Sequence, residues 1–183
     1  PASGTSVWTD TLTSGGNGFG NYCIRQILKG SNISSSGDRC RLTLTGATSG
    51  VKTTMDNISI GERNGSSLST VSVPVEVLVG GSSGTVMPFG SSIVTDWIDF
   101  PIDASKDYLV NFDLGTTSSV RQNPSGNNGA YVAASTNAFN TTNMGTATES
   151  SLSGNEARTY FVTKLETEVK PTINTDIIGE ISR

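Results

Sequence analysis

Asp107-Tyr108-Leu109-Val110-Asn111-Phe112-Asp113-Leu114 places Tyr108, Val110, Phe112 and Leu114 on one side of an extended chain, and Asp107, Asn111 and Asp113 on the other. Bulky residues in phase with a period of two describe a strand with one buried face and one face in water. Arg39-Cys40-Arg41-Leu42-Thr43-Leu44-Thr45 alternates in the same way, with Cys40, Leu42 and Leu44 inward. In Val73-Pro74-Val75-Glu76-Val77-Leu78-Val79 the valines share one face, while Pro74, which has no N–H, and Glu76 mark the segment as an edge strand. Less regular strands are expected over Val7 to Thr13, Gly20 to Leu28, Met55 to Gly61, Ile93 to Phe100, Ala130 to Ala134, Arg158 to Leu165 and Asp176 to Ser182. Gly, Ser and Asn clusters separate them, and no helical segment is available to cross between parallel strands. An all-β fold follows, an antiparallel sandwich or barrel.

Composition agrees with short strands and many turns. Ser, Thr, Gly and Asn make up 85 of the 183 residues, and Leu, Ile, Val and Phe make up 42, enough for one lean core. The formal charge is −4, and no stretch concentrates the 12 basic residues, so a surface that tracks phosphates has no electrostatic basis and nucleic acid is not an expected partner. The chain opens Pro1-Ala2-Ser3-Gly4 without an initiator methionine or a signal segment, as a mature product or a piece of a longer protein would. It holds no apolar run long enough to cross a membrane, and membrane insertion is not expected. Four N-x-[ST] sequons begin at Asn32, Asn57, Asn64 and Asn140, a number that this composition produces by chance.

There is no histidine. Ser-His-Asp and Cys-His nucleophiles both need an imidazole, and most catalytic zinc sites use one as a ligand, so these mechanisms are excluded within this chain. Cys23 and Cys40 are too few for a zinc site. They lie in two expected strands joined by a polar turn, which leaves open a cross-strand disulfide or two buried thiols.

Gly80-Gly81-Ser82-Ser83-Gly84 matches the G-x-S-x-G nucleophile elbow, but no helix follows and no histidine exists to activate Ser82; it reads as a turn. Asp96, Asp99, Asp103 and Asp107, with Asp113 beyond, are read first as solvated loop and edge charges. They are also candidates for a structural calcium and, more remotely, for a glycosidase pair. Gly115 to Ala157 carries only Arg121, Glu149 and Glu156 and reads as a long connection, a place where function often resides. Within it Arg121, Asn123, Asn127 and Asn128 precede Tyr131. Planar amides bond vicinal hydroxyls and a ring stacks on the apolar face of a sugar, so this loop is a candidate glycan contact. Trp97, on a strand that alternates poorly, is the other candidate, whereas Trp8, Tyr22, Phe100, Phe112, Tyr160 and Phe161 read as core.

Tyr22-Cys23-Ile24-Arg25-Gln26-Ile27-Leu28, then Arg39 to Leu44, then Met55-Asp56-Asn57-Ile58-Ser59-Ile60-Gly61-Glu62-Arg63 follow a sequence pattern, and Asp103-Ala104-Ser105-Lys106-Asp107-Tyr108-Leu109-Val110-Asn111-Phe112 continues it. The pattern resembles a β-sandwich module of tailed-phage virion structural proteins that also occurs beside SGNH-type esterase domains. The likeness covers roughly Val7 to Leu114, with a closing strand near Arg158 to Leu165. Neither the G-D-S block nor the D-x-x-H block of the esterases is present, so their chemistry is not carried over. The ending Thr172 to Arg183 is similar to a phage structural segment that normally continues into a further β-unit. The resemblance implies a jelly-roll-like sandwich over residues 1–165, with residues 166–183 as a linker and strand. It also implies a non-catalytic structural or adhesion module in a virion, without a cofactor, packing against other subunits or further copies of itself and touching host glycans. The alternative is a carbohydrate-binding module of a secreted or cell-surface enzyme, working as a monomer.

Overall fold

The computed structural model describes residues 4–126, 128–133, 153–155 and 157–171. One sheet orders its strands as β1 (Thr5–Thr9), β16 (Val162–Glu168), β4 (Arg39–Thr45) and β10 (Ser92–Val94). The facing sheet runs β3 (Cys23–Leu28), β11 (Tyr108–Leu114), β5 (Thr54–Glu62) and β6 (Val75–Glu76), with β9 (Thr85–Val86) also on β5. Beyond β3 it is widened by β13 (Ala130–Ala133) and β14 (Ser153–Asn155). A small sheet joins β15 (Thr159–Tyr160), β12 (Val120–Asn123) and β2 (Ser14–Gly16), and β7 (Leu78–Val79) pairs with β8 (Ser82–Ser83).

The order of the two large sheets follows from a single folded ribbon. Taken along the chain, the eight principal strands are β1, β3, β4, β5, β6, β10, β11 and β16. The first pairs with the last, and successive inner pairs are β3 with β11, β4 with β10, and β5 with β6, all antiparallel. Rolling that ribbon up puts the strands alternately into two sheets, which is the jelly-roll arrangement. The two inner faces share one core. Ile24 and Leu28 of β3, Cys40, Leu42 and Leu44 of β4, Ile58 and Ile60 of β5, Tyr108, Val110, Phe112 and Leu114 of β11, and Val162 and Leu165 of β16 all belong to it. Phe112 meets Phe161 edge to face at 5.2 Å across the middle. The inward residues expected for β4 and β11 are those observed. β16 continues the sandwich to Glu168, past the boundary expected at Leu165.

The wet face expected on β11 is corrected: Asn111 and Asp113 are buried. The chain between β5 and β6 folds back over the outside of the sheet and buries Leu68 and Thr70. There the Arg25 guanidinium donates to the carbonyl of Leu68. In the row of cross-strand partners Tyr131, Arg25, Asn111 and Ser59, the last three are buried on this side and Tyr131 is half-buried, and Asn111 Nδ2 donates to Ser59 Oγ at 2.9 Å. Desolvation pulls the Arg25 pKa down to about 10, against the opposing charges of Cys23 and Asp113.

Cys23 and Cys40 are not joined by a disulfide, and both are buried. Cys23 opens β3 and Cys40 is the second residue of β4 on the opposite sheet, so the intervening turn sends them toward opposite ends of the sandwich. They are separated by about five residues of strand, roughly 16 Å at 3.3 Å per residue. Burial pushes the Cys40 thiol up to about 12. The valine segment is an edge, as expected, but it breaks between β6 and β7. Val77 is buried while Val73 and Val75 are exposed. The expected turn at Gly80-Gly81 closes the β7–β8 hairpin, with both glycines at positive φ. Among the described residues no helix is long and apolar enough to cross a membrane. The strand expected over Asp176 to Ser182 lies outside the described residues.

Candidate functional site

At the edge of the first sheet the pairing of β1 with β16 shifts register between Ser6 and Trp8. Regular alternation would turn one of two neighbouring side chains outward; the bulge lets Val7 and Trp8 both point inward, and both are buried. Trp8 Nε1 thereby reaches Asn128 Oδ1 at 3.2 Å. The same oxygen accepts from Asn32 Nδ2 at 3.1 Å and from the Lys29 backbone N–H at 3.4 Å. Indole and backbone N–H groups can only donate, so these bonds fix which way the Asn128 amide is turned. Asn128 is 4% exposed, and its Nδ2 has no acceptor among the described residues.

This amide stands in the wall of a groove of about 490 Å³ that Ser6, Trp8, Asp10, Asn32 and Asn123 also line, a size within the range of small-ligand clefts. Asp10 Oδ1 accepts from the Thr11 backbone N–H at 2.7 Å and from Asn123 Nδ2 at 2.8 Å. Gly126 lets the loop come this close. A Cβ there would sit 2.3 Å from Thr159 Oγ1 and 3.1 Å from Asp10 Oδ2. Among the described lining residues there is no lysine or arginine, and Asp10 is the one carboxylate.

The expected glycan residues separate in space. Asn128 and its neighbour Asn123 line the groove; Asn127 lies outside the described residues. Arg121 instead donates from its guanidinium to the Leu12 carbonyl at 2.8 Å, tying β12 to the chain before β2. Tyr131 stands in register with Arg25 on the outside of the second sheet. Trp97 lies against the outside of the first sheet, its ring centroid 5.2 Å from the Arg39 guanidinium and 4.7 Å from that of Arg41. The groove's aromatic residue is Trp8, read from sequence as core. Trp8, Asp10 and Asn32 were not legible as site residues.

The five aspartates do not converge either. Asp96 caps the Gly80-Gly81 turn, accepting from both backbone N–H groups at 3.0 and 2.6 Å. Asp99 pairs with Lys170 at 3.0 Å, and Asp103 accepts from the Ser105 backbone and hydroxyl at 2.9 and 2.7 Å. Asp107 holds the Gly30 N–H at 2.9 Å and faces Arg63 at 3.5 Å, while Asp113 lies near Arg25. Among the described residues no three acidic or thiol side chains gather where a metal ion could be held.

Beside Trp97, burial pushes the Glu166 carboxyl up, but Arg41 at 3.0 Å and Lys164 at 3.6 Å outweigh it and hold it below the usual carboxylate range. A depressed carboxyl stabilises the fold above its unfolded value, and this contribution is lost as pH falls through the folded one. Glu166→Gln is therefore expected to flatten the acid limb of a melting-temperature profile below about pH 4.3. It should change stability near neutrality by no more than about 1 kcal/mol. An unchanged acid limb in the variant would contradict this.

No protein-family model matches the chain, and neither does any curated protein.

Proposed function

We propose that the chain is a non-catalytic recognition module that holds a neutral, hydroxyl-rich glycan in the Trp8–Asn128 groove. The observation that carries this reading is the Asn128 amide. Three donors lock its oxygen, its Nδ2 has no acceptor among the described residues, and the residue lines the groove together with Asp10, Asn32 and Asn123. A single carboxylate among the described lining residues supports holding rather than cleavage, since glycoside hydrolysis by the usual route needs two flanking the bond. The lack of a described cation in the lining, together with Asp10, disfavours acidic sugars.

The virion setting rests on the resemblance of Val7 to Leu114 to tailed-phage structural modules. In that setting the module packs against other virion subunits or its own copies, and many weak sites act together through effective concentration. A groove complete within one chain suits a carbohydrate-binding module of a secreted or cell-surface enzyme as well. Sedimentation separates the two: a stable oligomer supports the virion reading, and a monomer that binds sugar equally well supports the second.

The test is a broad glycan array with the purified chain, in calcium and then in chelator, followed by titration of the best neutral and acidic sugars. Saturable binding to a neutral class is expected. Asn128→Ala should weaken it by roughly 5- to 30-fold, the loss of one to two hydrogen bonds. Asp10→Asn should weaken it less and admit acidic sugars. Tyr131→Ala and Trp97→Ala should leave it unchanged. A blank array, or binding indifferent to Asn128→Ala in a variant that melts like the parent, would overturn the proposal.

A further inference from the structure

Three asparagines precede a glycine: Asn17-Gly18, Asn64-Gly65 and Asn128-Gly129. With no Cβ to shield it, a glycine amide nitrogen is open to reaction with the side-chain carbonyl before it. All three glycines have positive φ, at 83°, 60° and 92°, so the backbone does not rank the pairs. The asparagine side chains do. Asn128 is buried and its Oδ1 accepts three hydrogen bonds. Asn17 is exposed, but its Oδ1 accepts from Ser119 Oγ at 2.8 Å. Asn64 is exposed, and its side chain bonds to no described residue. Its backbone is engaged on both sides, its N–H donating to the Ser69 carbonyl at 2.9 Å and its carbonyl accepting from Ser67 N–H at 3.1 Å, which leaves the amide side chain and Gly65 outside the turn's hydrogen bonds. A Cβ built on Gly65 meets nothing within 4 Å, so the nitrogen is approachable.

We infer that Asn64 is a deamidation site and that the fold protects Asn128 from the same reaction. Hydroxide removes the Gly65 amide proton, and the nitrogen attacks Asn64 Cγ. The new N–Cγ bond forms, water returns a proton to Nδ2, and the Cγ–Nδ2 bond breaks, releasing ammonia and restoring hydroxide. Water then opens the five-membered imide at either carbonyl, giving aspartate with the original main chain or isoaspartate with the chain routed through the side chain. No electrons are gained or lost.

The product puts a carboxylate beside Arg63. That guanidinium straps the loop, donating to the carbonyls of Ser66 at 2.7 Å and Ser67 at 2.8 Å, and it faces Asp107 at 3.5 Å. The isoaspartyl form also lengthens the main chain by one carbon, in the loop that brings the Leu68 carbonyl onto Arg25. The modification thus acts on the cover of the second sheet, far in function from the groove.

The experiment is peptide mapping by mass spectrometry of the bacterially expressed chain, folded and in denaturant, during incubation at mildly alkaline pH. In denaturant the three Asn-Gly peptides should each gain about one dalton at similar rates, because their dipeptide is the same. In the folded chain the Asn64 peptide should react at least ~10-fold faster than the Asn128 peptide, whose reaction awaits local opening, with Asn17 between. Asn64→Gln should abolish the signal without touching the other two. Equal folded rates for Asn64 and Asn128, or an Asn64 that reacts only in denaturant, would overturn the inference.

Discussion

Arg25→Leu is expected to destabilise the chain by about 3–5 kcal/mol, read as a lower urea midpoint with an unchanged slope. Arg25 is fully buried on a face of β3, a strand whose alternation is too irregular for the sequence alone to assign its faces. Its guanidinium holds the Leu68 carbonyl, and Asp113, diagonal to it on the neighbouring strand, is a buried carboxylate whose charge it offsets. Removing the cation leaves that carboxylate without its compensating charge in a dry layer, and the desolvation of the anion sets the size of the effect. The double variant Arg25→Leu with Asp113→Leu is therefore expected to be more stable than Arg25→Leu alone, since two apolar groups leave no stranded charge. A single variant within about 1 kcal/mol of the parent would mean that water reaches this face and that the β5–β6 connection does not seal it.

The same face shows where reading the sequence stops. Alternation on β11 located the inner residues correctly, because a hydrophobic period reports which side chains share a face. It says nothing about what lies over the other face. A polar outer row of Asn111 and Asp113 looks the same whether water or a returning loop covers it, and Arg25 in the middle of β3 was the local sign that the cover is protein. The groove divides in the same way. Amides crowded between Asn123 and Asn128 are visible locally, so that wall was legible. The opposite wall comes from β1, 120 positions away from Asn128, and only closure of the ribbon's ends brings the two together. Trp8 is buried in the core, as read from the sequence; what alternation does not show is the bulge that brings its indole N–H to Asn128. Of the five aspartates, Asp96, Asp99, Asp103 and Asp107 are the loop and edge charges first expected and Asp113 is buried; strands and turns carry each to a different partner.

Phe161→Ala is expected to cost about 3–5 kcal/mol, the usual range for deleting a buried ring, and Phe161→Gly to cost no more than that. This reverses the ordinary order, in which glycine in a strand is about 0.5–1 kcal/mol worse than alanine. The reason is the backbone. Phe161 has φ 57°, the left-handed region that a bulky L-residue rarely adopts. It sits where the chain leaves the small sheet at β15 and enters the first large sheet at β16. Its N–H donates to the Arg121 carbonyl at 3.0 Å on one side, and its carbonyl accepts from Thr45 N–H at 2.8 Å on the other. Two sheets fix its two peptide groups, and the ring, fully buried against Phe112, supplies the packing that holds the strained turn in place. Alanine loses the ring and keeps the strain, whereas glycine loses the ring and relieves the strain, offsetting its greater freedom in the unfolded chain. Urea unfolding of the parent and the two variants decides the matter: glycine falling below alanine by the ordinary margin would show that the turn relaxes once the ring is gone, and that packing rather than the two sheets imposes its conformation.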